Sequence, residues 1–266
     1  MSTDPNIPSG TIPQDDVFWM LEQAANLLDQ SGSHVAAMDL FAYLLKERPE
    51  FPMAWFGFAS ATYGYASKHA SLEWLQVAIA AVQKMKQLDP QHEWALNFLA
   101  AMVERTPLSQ EQVDAVEPLT EPPENLRELT GYDDSTLPDA FQAIPQFMRR
   151  TQLLMWLTPY PDPTWKDILL PGIQDPHETV RRAALKRLLP DRCDARYREA
   201  LEELYGTEKG EDSEPYLSRC LRSLARDPEL SDWATDLIRR KGDPDNDPFG
   251  FNQRMLDAVD GAGSDG

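Results

Sequence analysis

Cations are scarce in this chain. Its 266 residues hold 25 Lys and Arg against 44 Asp and Glu, a formal net charge of −19. Such a chain repels phosphates unless a concentrated basic face survives, which weighs against nucleic acid as the partner. The first Lys or Arg is Lys46, so a basic n-region is not expected, and no apolar run reaches the ~18 residues a membrane span needs. Cysteine is limited to Cys193 and Cys220, with no C-x-x-C pair to suggest metal or redox chemistry. Free thiols and a cytoplasmic location are the expectation.

Catalytic patterns are lacking too. His34, His69, His92 and His177 are scattered, and there is no H-E-x-x-H, no G-x-S-x-G and no Gly-rich phosphate loop. A cofactor is not expected, and neither is enzymatic activity. Alternating Val/Ile/Thr runs and Asn-Gly turns are nearly absent, which excludes a sheet-rich fold. The 22 prolines fall mainly between stretches of helical period, so the fold class expected is all-α.

One stretch runs against the acidic composition: "DPHETVRRAALKRLLP", residues 175–190. Asp175 is placed to cap a helix, Pro176 to occupy its first position, and Pro190 to end it. Val180, Ala183, Ala184, Leu185, Leu188 and Leu189 recur at helical spacing, and Arg181, Arg182, Lys186 and Arg187 take the remaining face. Upstream, "TWKDILLPGIQ" supplies a second short amphipathic piece, giving an antiparallel pair. The run Asp175-Pro176, Val180-Arg181 and Ala183-Ala184-Leu185 resembles a HEAT repeat of the short bacterial kind found in phycobilisome-lyase-like proteins. That resemblance implies close helix approach at the alanines, and Asp and Arg spent on caps and bonds between neighbouring repeats. One such repeat cannot bury its own face, so the apolar segments at 139–157, 195–206, 213–226 and 232–240 are read as its neighbours in a small solenoid.

The N-terminal part has a different period. Gly32, Ala37, Phe41, Leu44 and Pro49, followed by Trp55, Phe58 and Ala59, resemble the tetratricopeptide pattern. The match returns at Ala78, Val82, Pro90, Leu96, Leu99 and Ala100, and Leu21, Ala24 and Ala25 fill the preceding first helix. The two closing prolines, Pro49 and Pro90, are 41 residues apart where about 34 is usual, an excess assigned to "GYASKHAS". The expected organisation is therefore a disordered N-terminus (1–15), a tetratricopeptide-like module (16–105) and an acidic Pro-rich linker (106–139). A HEAT-like α-solenoid module (140–241) and an acidic disordered tail (242–266) follow.

The linker reads as an extended connection with one brief helix at 109–117 capped by Ser109. In the tail, Asp243, Asp245 and Asp247 alternate as in a calcium loop, but Pro248 and Arg254 stand where such a loop needs Gly and Glu. No metal site is assigned.

The resemblance to tetratricopeptide repeats implies a concave groove lined by alternate turns of the first helices. Its lining would include Trp19, Asn26, Met53, Phe56, Tyr63, Trp94 and Asn97, with five large apolar groups among them. No Lys or Arg falls at these positions, which excludes the carboxylate-clamp mode of tetratricopeptide domains that grip chaperone C-termini. The expected function is a non-enzymatic protein-binding adaptor that takes a partner helix or peptide in this aromatic groove. Arg181, Arg182, Lys186 and Arg187 are a second candidate surface. The protein's own linker or tail is the competing occupant of the groove, and oligomeric state stays open. Two other classes stand beside the adaptor. One is a HEAT-like nucleic-acid binder or DNA-glycosylase-like enzyme, for which Trp156, Trp165 and Asp167 supply the residue types. The other is an immunity or inhibitor protein directed at a basic toxin, which the acidity alone suggests.

Overall fold

The computed structural model describes residues 14–106, 108–131, 136–160, 163–188, 190, 193–205, 207 and 213–241. All regular structure among them is helical, and no strand occurs. None of these helices is long and apolar enough to cross a membrane. The chain forms two compact units, Met1–Thr136 with Pro159–Pro161, and Leu137–Thr158 with Asp162–Gly266.

The first unit opens with five helices: α1 (Gln14–Gln30), α2 (His34–Glu47), α3 (Pro52–His69), α4 (Leu72–Leu88) and α5 (Glu93–Arg105). Loops of two to four residues separate them, so consecutive helices pack back to back and antiparallel. The first turn shows why. Ser33 N donates to Leu28 O at 2.9 Å across Gly32, whose φ of +81° is the left-handed conformation that only glycine adopts without strain. The same device ends α3, where Ser71 N donates to Ala66 O, but here Ala70 carries the left-handed φ of +50°. Between α2 and α3 the Trp55 indole donates to Pro49 O at 2.8 Å, so the loop is fixed at Pro49 through a core tryptophan.

Glycine also sets how closely these helices lie. A Cβ on Gly57 would sit 2.2 Å from Phe41 Cζ, and one on Gly64 would sit 2.4 Å from His34 Cε1. Phe41 and Phe58 are fully buried, with Ala37, Ala54, Ala59 and Ala78 filling the gaps between backbones.

Two short helices complete the first unit: α6 (Gln110–Asp114) and α7 (Leu126–Thr130). The α6 helix sits where Ser109 was expected to cap one, and Ser109 and Gln112 form a reciprocal capping box. The rest of the linker differs from the expectation of a free extended connection. Val113 and Leu126 are buried, Gln83 Nε2 donates to Val113 O at 3.1 Å, and Leu119 N donates to Ala80 O at 3.2 Å. Arg127 clasps Asp39 through Nε at 3.1 Å and Nη2 at 2.6 Å, and the Tyr160 hydroxyl donates to the same carboxylate oxygen at 3.1 Å.

The second unit holds α8 (Thr136–Ala143), α9 (Phe147–Trp156), a 3-10 turn (Pro163–Ile168) running into α10 (Leu169–Ile173), α11 (Glu178–Leu185), α12 (Ala195–Leu204), α13 (Glu214–Leu224) and α14 (Ser231–Lys241). Its core includes Phe141, Leu153, Leu154, Ile168, Ile173, Val180 and Leu221. A Cβ on Gly172 would stand 2.9 Å from Ala184 Cβ, so α10 and α11 pack with little between their backbones.

The opening of α11 corrects the local reading of its sequence. Asp175 is not the cap and Pro176 is not the first helical residue, because the helix starts at Glu178 behind His177, whose ring Nδ1 accepts from Thr179 N at 3.3 Å. Asp175 is instead buried and bound from both sides. Arg150 Nε and Nη2 donate to its carboxylate at 2.7 and 3.2 Å, and His177 N donates to it at 2.8 Å. The far end is also earlier than Pro190, with Lys186 closing the helix. The N-terminal 1–13 and the tail 242–266, with the Asp243, Asp245 and Asp247 cluster, lie outside the described residues.

Candidate functional site

The groove expected from the N-terminal repeats draws its residues from α1, α3 and α5. On α1, Trp19, Glu22, Asn26 and Asp29 recur at helical spacing, and the stripe is tied to α3 at its end. Ser60 Oγ donates to Asp29 Oδ2 at 2.9 Å, while His34 Nδ1 lies 2.8 Å from Asp29 Oδ1. One carboxylate thus joins α1, α2 and α3 and fixes their register. At the other end of α1, Phe18 is buried edge-on against Phe51 at 5.0 Å, and Arg48 covers its ring while pairing with Asp15.

From α3 and α5 comes a continuous set of rings. Phe56 lies 5.7 Å from Trp94 and 5.8 Å from Phe98, and Phe98 lies 5.7 Å from Tyr63. His92, at the start of α5, adds a ring 5.6 Å from Trp94. Three of the residues expected from sequence, Phe56, Tyr63 and Trp94, are therefore brought together, and Phe98 is what joins them. Phe98 was not among the expected residues. It stands four residues from Trp94 on the same helix, and that spacing was the available signal. Trp94 remains 54% exposed and Trp19 52% exposed, whereas Phe56, Tyr63, Met53 and Asn26 are half-buried and Asn97 is exposed.

The surroundings of this face are acidic. Burial raises the Glu22 carboxyl above its ordinary value, the direction expected where desolvation penalises the charged form. The bonds of the described linker include those to Ala80 and Gln83 on α4, to Asp39 on α2, and to Tyr65 on α3, whose hydroxyl donates to Thr130 O at 3.2 Å. None of these four is among the expected groove residues.

The basic stretch of α11 does not assemble into one surface. Arg181 is a correction to the sequence reading: it is 1% exposed, donating through Nη1 to Asp175 O at 3.0 Å and Pro176 O at 2.9 Å and through Nε to Ser213 Oγ at 3.2 Å. Its guanidinium satisfies carbonyls at the α11 entry and anchors the start of α13, so it is unavailable to a partner. Arg187 is half-buried, with Nε on Thr158 Oγ1 at 2.7 Å and Nη1 on Ala183 O at 2.8 Å, and burial lowers its pKa. Arg182 pairs with Glu178 at 3.2 Å, and both Arg182 and Lys186 lie over the Tyr216 ring, Lys186 Nζ at 4.4 Å from its centre. What faces outward is a pair of cations seated on one aromatic ring.

The residue types noted for a glycosylase-like reading differ in exposure. Trp165 is 3% exposed and lies in the core, while Trp156 and Asp167 are half-buried. Among the described residues no three His, Cys, Asp or Glu side chains are placed to hold a metal ion. Cys193 and Cys220 are buried free thiols. Compared with protein-family models, curated proteins and solved structures, the chain matches none of them.

Proposed function

We propose that this protein is a non-enzymatic adaptor built from tetratricopeptide-like and HEAT-like helical repeats, and that its α1–α3–α5 face holds a segment of a partner protein. The observation that carries the reading is the ring cluster of Phe56, Tyr63, Trp94 and Phe98, which is continuous yet leaves Trp94 more than half exposed. Tryptophan and tyrosine grouped on one accessible face are the side chains that dominate binding energy at protein interfaces. Repeat ancestry is supported by the serial helical hairpins, by backbone approach at Gly57 and Gly64, and by burial of Arg181 and Asp175 at the junctions of α9, α11 and α13.

Site-specific photo-cross-linking tests this directly. Benzoylphenylalanine at Asn97, exposed on α5 three residues after Trp94, is expected to capture a discrete protein in the native host. The same probe at Glu121, on the linker, is expected not to. Equal capture from both positions, or none from Asn97, would contradict the proposal.

A further inference from the structure

The electrostatics of the ring-bearing face specify its partner more narrowly, an inference that rests on the binding role given above. Residues 1–136 carry seven Lys and Arg against twenty Asp and Glu, a net charge of −13. Within α1, α3 and α5 there are six carboxylates and two cations, and α1 has no cation at all. Both cations, Lys68 and Arg105, stand in the last turns of their helices. Glu22 lies on α1, on the stripe that runs from Trp19 to Asp29. It is half-buried, and among the described residues nothing pairs with it. A carboxylate withdrawn from water without a counter-charge is costly to the free protein and becomes favourable only when a cation arrives.

We propose that the α1–α3–α5 face takes an amphipathic helix of a partner protein whose apolar stripe lies on Phe56, Tyr63, Trp94 and Phe98 and whose lysine or arginine meets Glu22. Phe56 and Tyr63 are seven residues apart on α3, about 10.5 Å along its axis, and a helix lying alongside repeats its apolar side chains at the same rise. The protein's own tail is poorly matched to the same face. Residues 242–266 contain six Asp and one Arg, so seating them there would set like charges together.

The test uses the full chain and two fluorescein-labelled 18-residue peptides, with leucine at helical spacing and either lysine or glutamate at every other position, read by fluorescence anisotropy. The Leu/Lys peptide is expected to bind at least tenfold more tightly than the Leu/Glu peptide, with affinity falling as salt rises. Glu22→Gln is expected to weaken the Leu/Lys peptide severalfold, and the control Glu121→Gln on the linker to leave it unchanged. Equal binding of both peptides, with Phe56→Ala and Trp94→Ala each weakening them, would overturn the charge assignment while leaving the groove in place. Leu/Lys binding insensitive to Phe56→Ala and Trp94→Ala would mean adsorption elsewhere on the acidic surface, and the groove reading itself would fall. If neither peptide binds until Phe251 and Leu256 are replaced by serine, the occupant is the protein's own tail and the proposal is wrong.

Discussion

Arg150 holds Asp175 across 25 residues of sequence through two hydrogen bonds, Nε to Oδ2 at 2.7 Å and Nη2 to Oδ1 at 3.2 Å, with both side chains almost out of solvent. The third arm of the guanidinium donates to Ile144 O. The pair therefore ties the start of α9 to the α10–α11 turn. Removing one partner strands a buried charge, so Asp175→Ala is expected to lower stability by ~3 kcal/mol or more in urea denaturation. Replacing both residues with Met and Leu is expected to recover part of that loss. A single-variant cost below about 1 kcal/mol would show that the pair contributes little.

Two backbone positions in the first unit make opposite forecasts. Ala70 occupies a left-handed conformation at φ +50° that costs an L-residue about 1 kcal/mol, so Ala70→Gly is expected to raise the melting temperature. Gly57→Ala is expected to lower it, because the new Cβ would fall 2.2 Å from a fully buried Phe41 ring and force overpacking that costs about 1–3 kcal/mol. Thermal unfolding followed by circular dichroism reads both. A stable Gly57→Ala variant would mean that α2 and α3 can separate without loss.

These positions also show what the sequence could and could not convey. The five helices of the first unit were visible because their apolar residues repeat at helical spacing between short loops, and Gly32 marked the first turn. The destination of Asp175 was not visible. Local chemistry makes Asp-Pro a good helix start, and only the fold brings in Arg150 as the stronger claimant. Arg181 was offered to a second surface because on a helical wheel it lies outside the apolar stripe, but α13 closes over it and supplies Ser213, a structural use of the kind that the HEAT resemblance implied. In the linker, Val113 and Leu126 are isolated apolar residues without a stripe, so nothing local announces their burial. Phe98 escaped because groove positions carried over from a repeat pattern fix helix rotation only to within about one residue.

Glu22 predicts a pH dependence whose sign follows from its burial. A raised folded-state pKa means that the native protein keeps this proton to higher pH than the unfolded chain does. Glu22 therefore destabilises the fold progressively as pH climbs from the ordinary glutamate value through the raised one, and the loss persists above it. Glu22→Gln is expected to match the parent protein's melting temperature near pH 4 and to exceed it at pH 7. A lower melting temperature for the variant at pH 7 would mean that a cation within the fold already stabilises the carboxylate.

Thiol chemistry offers an independent check on the second unit. Burial pushes Cys193 up to about 11 and Cys220 up to about 12, so almost no thiolate is present near neutrality and access is restricted. Neither cysteine is expected to react appreciably with iodoacetamide at pH 8 in the native protein, and both are expected to react in guanidinium. Rapid native labelling of Cys220 would show that the packing of α13 opens readily.

The binding role assigned to the ring-bearing face is tested most directly by the Phe56→Ala, Trp94→Ala double variant, assayed side by side for melting temperature and for retention of the protein captured from Asn97. Phe56 is half-buried and Trp94 mostly exposed, so truncation should spare the fold while removing side chains that cost ~2 kcal/mol or more each when lost from the centre of an interface. The account predicts partner binding weakened at least a hundredfold, with the helical signal intact and the melting temperature within a few degrees of the parent. Undiminished binding would contradict it, and so would collapse of the fold, which would make these rings part of the core.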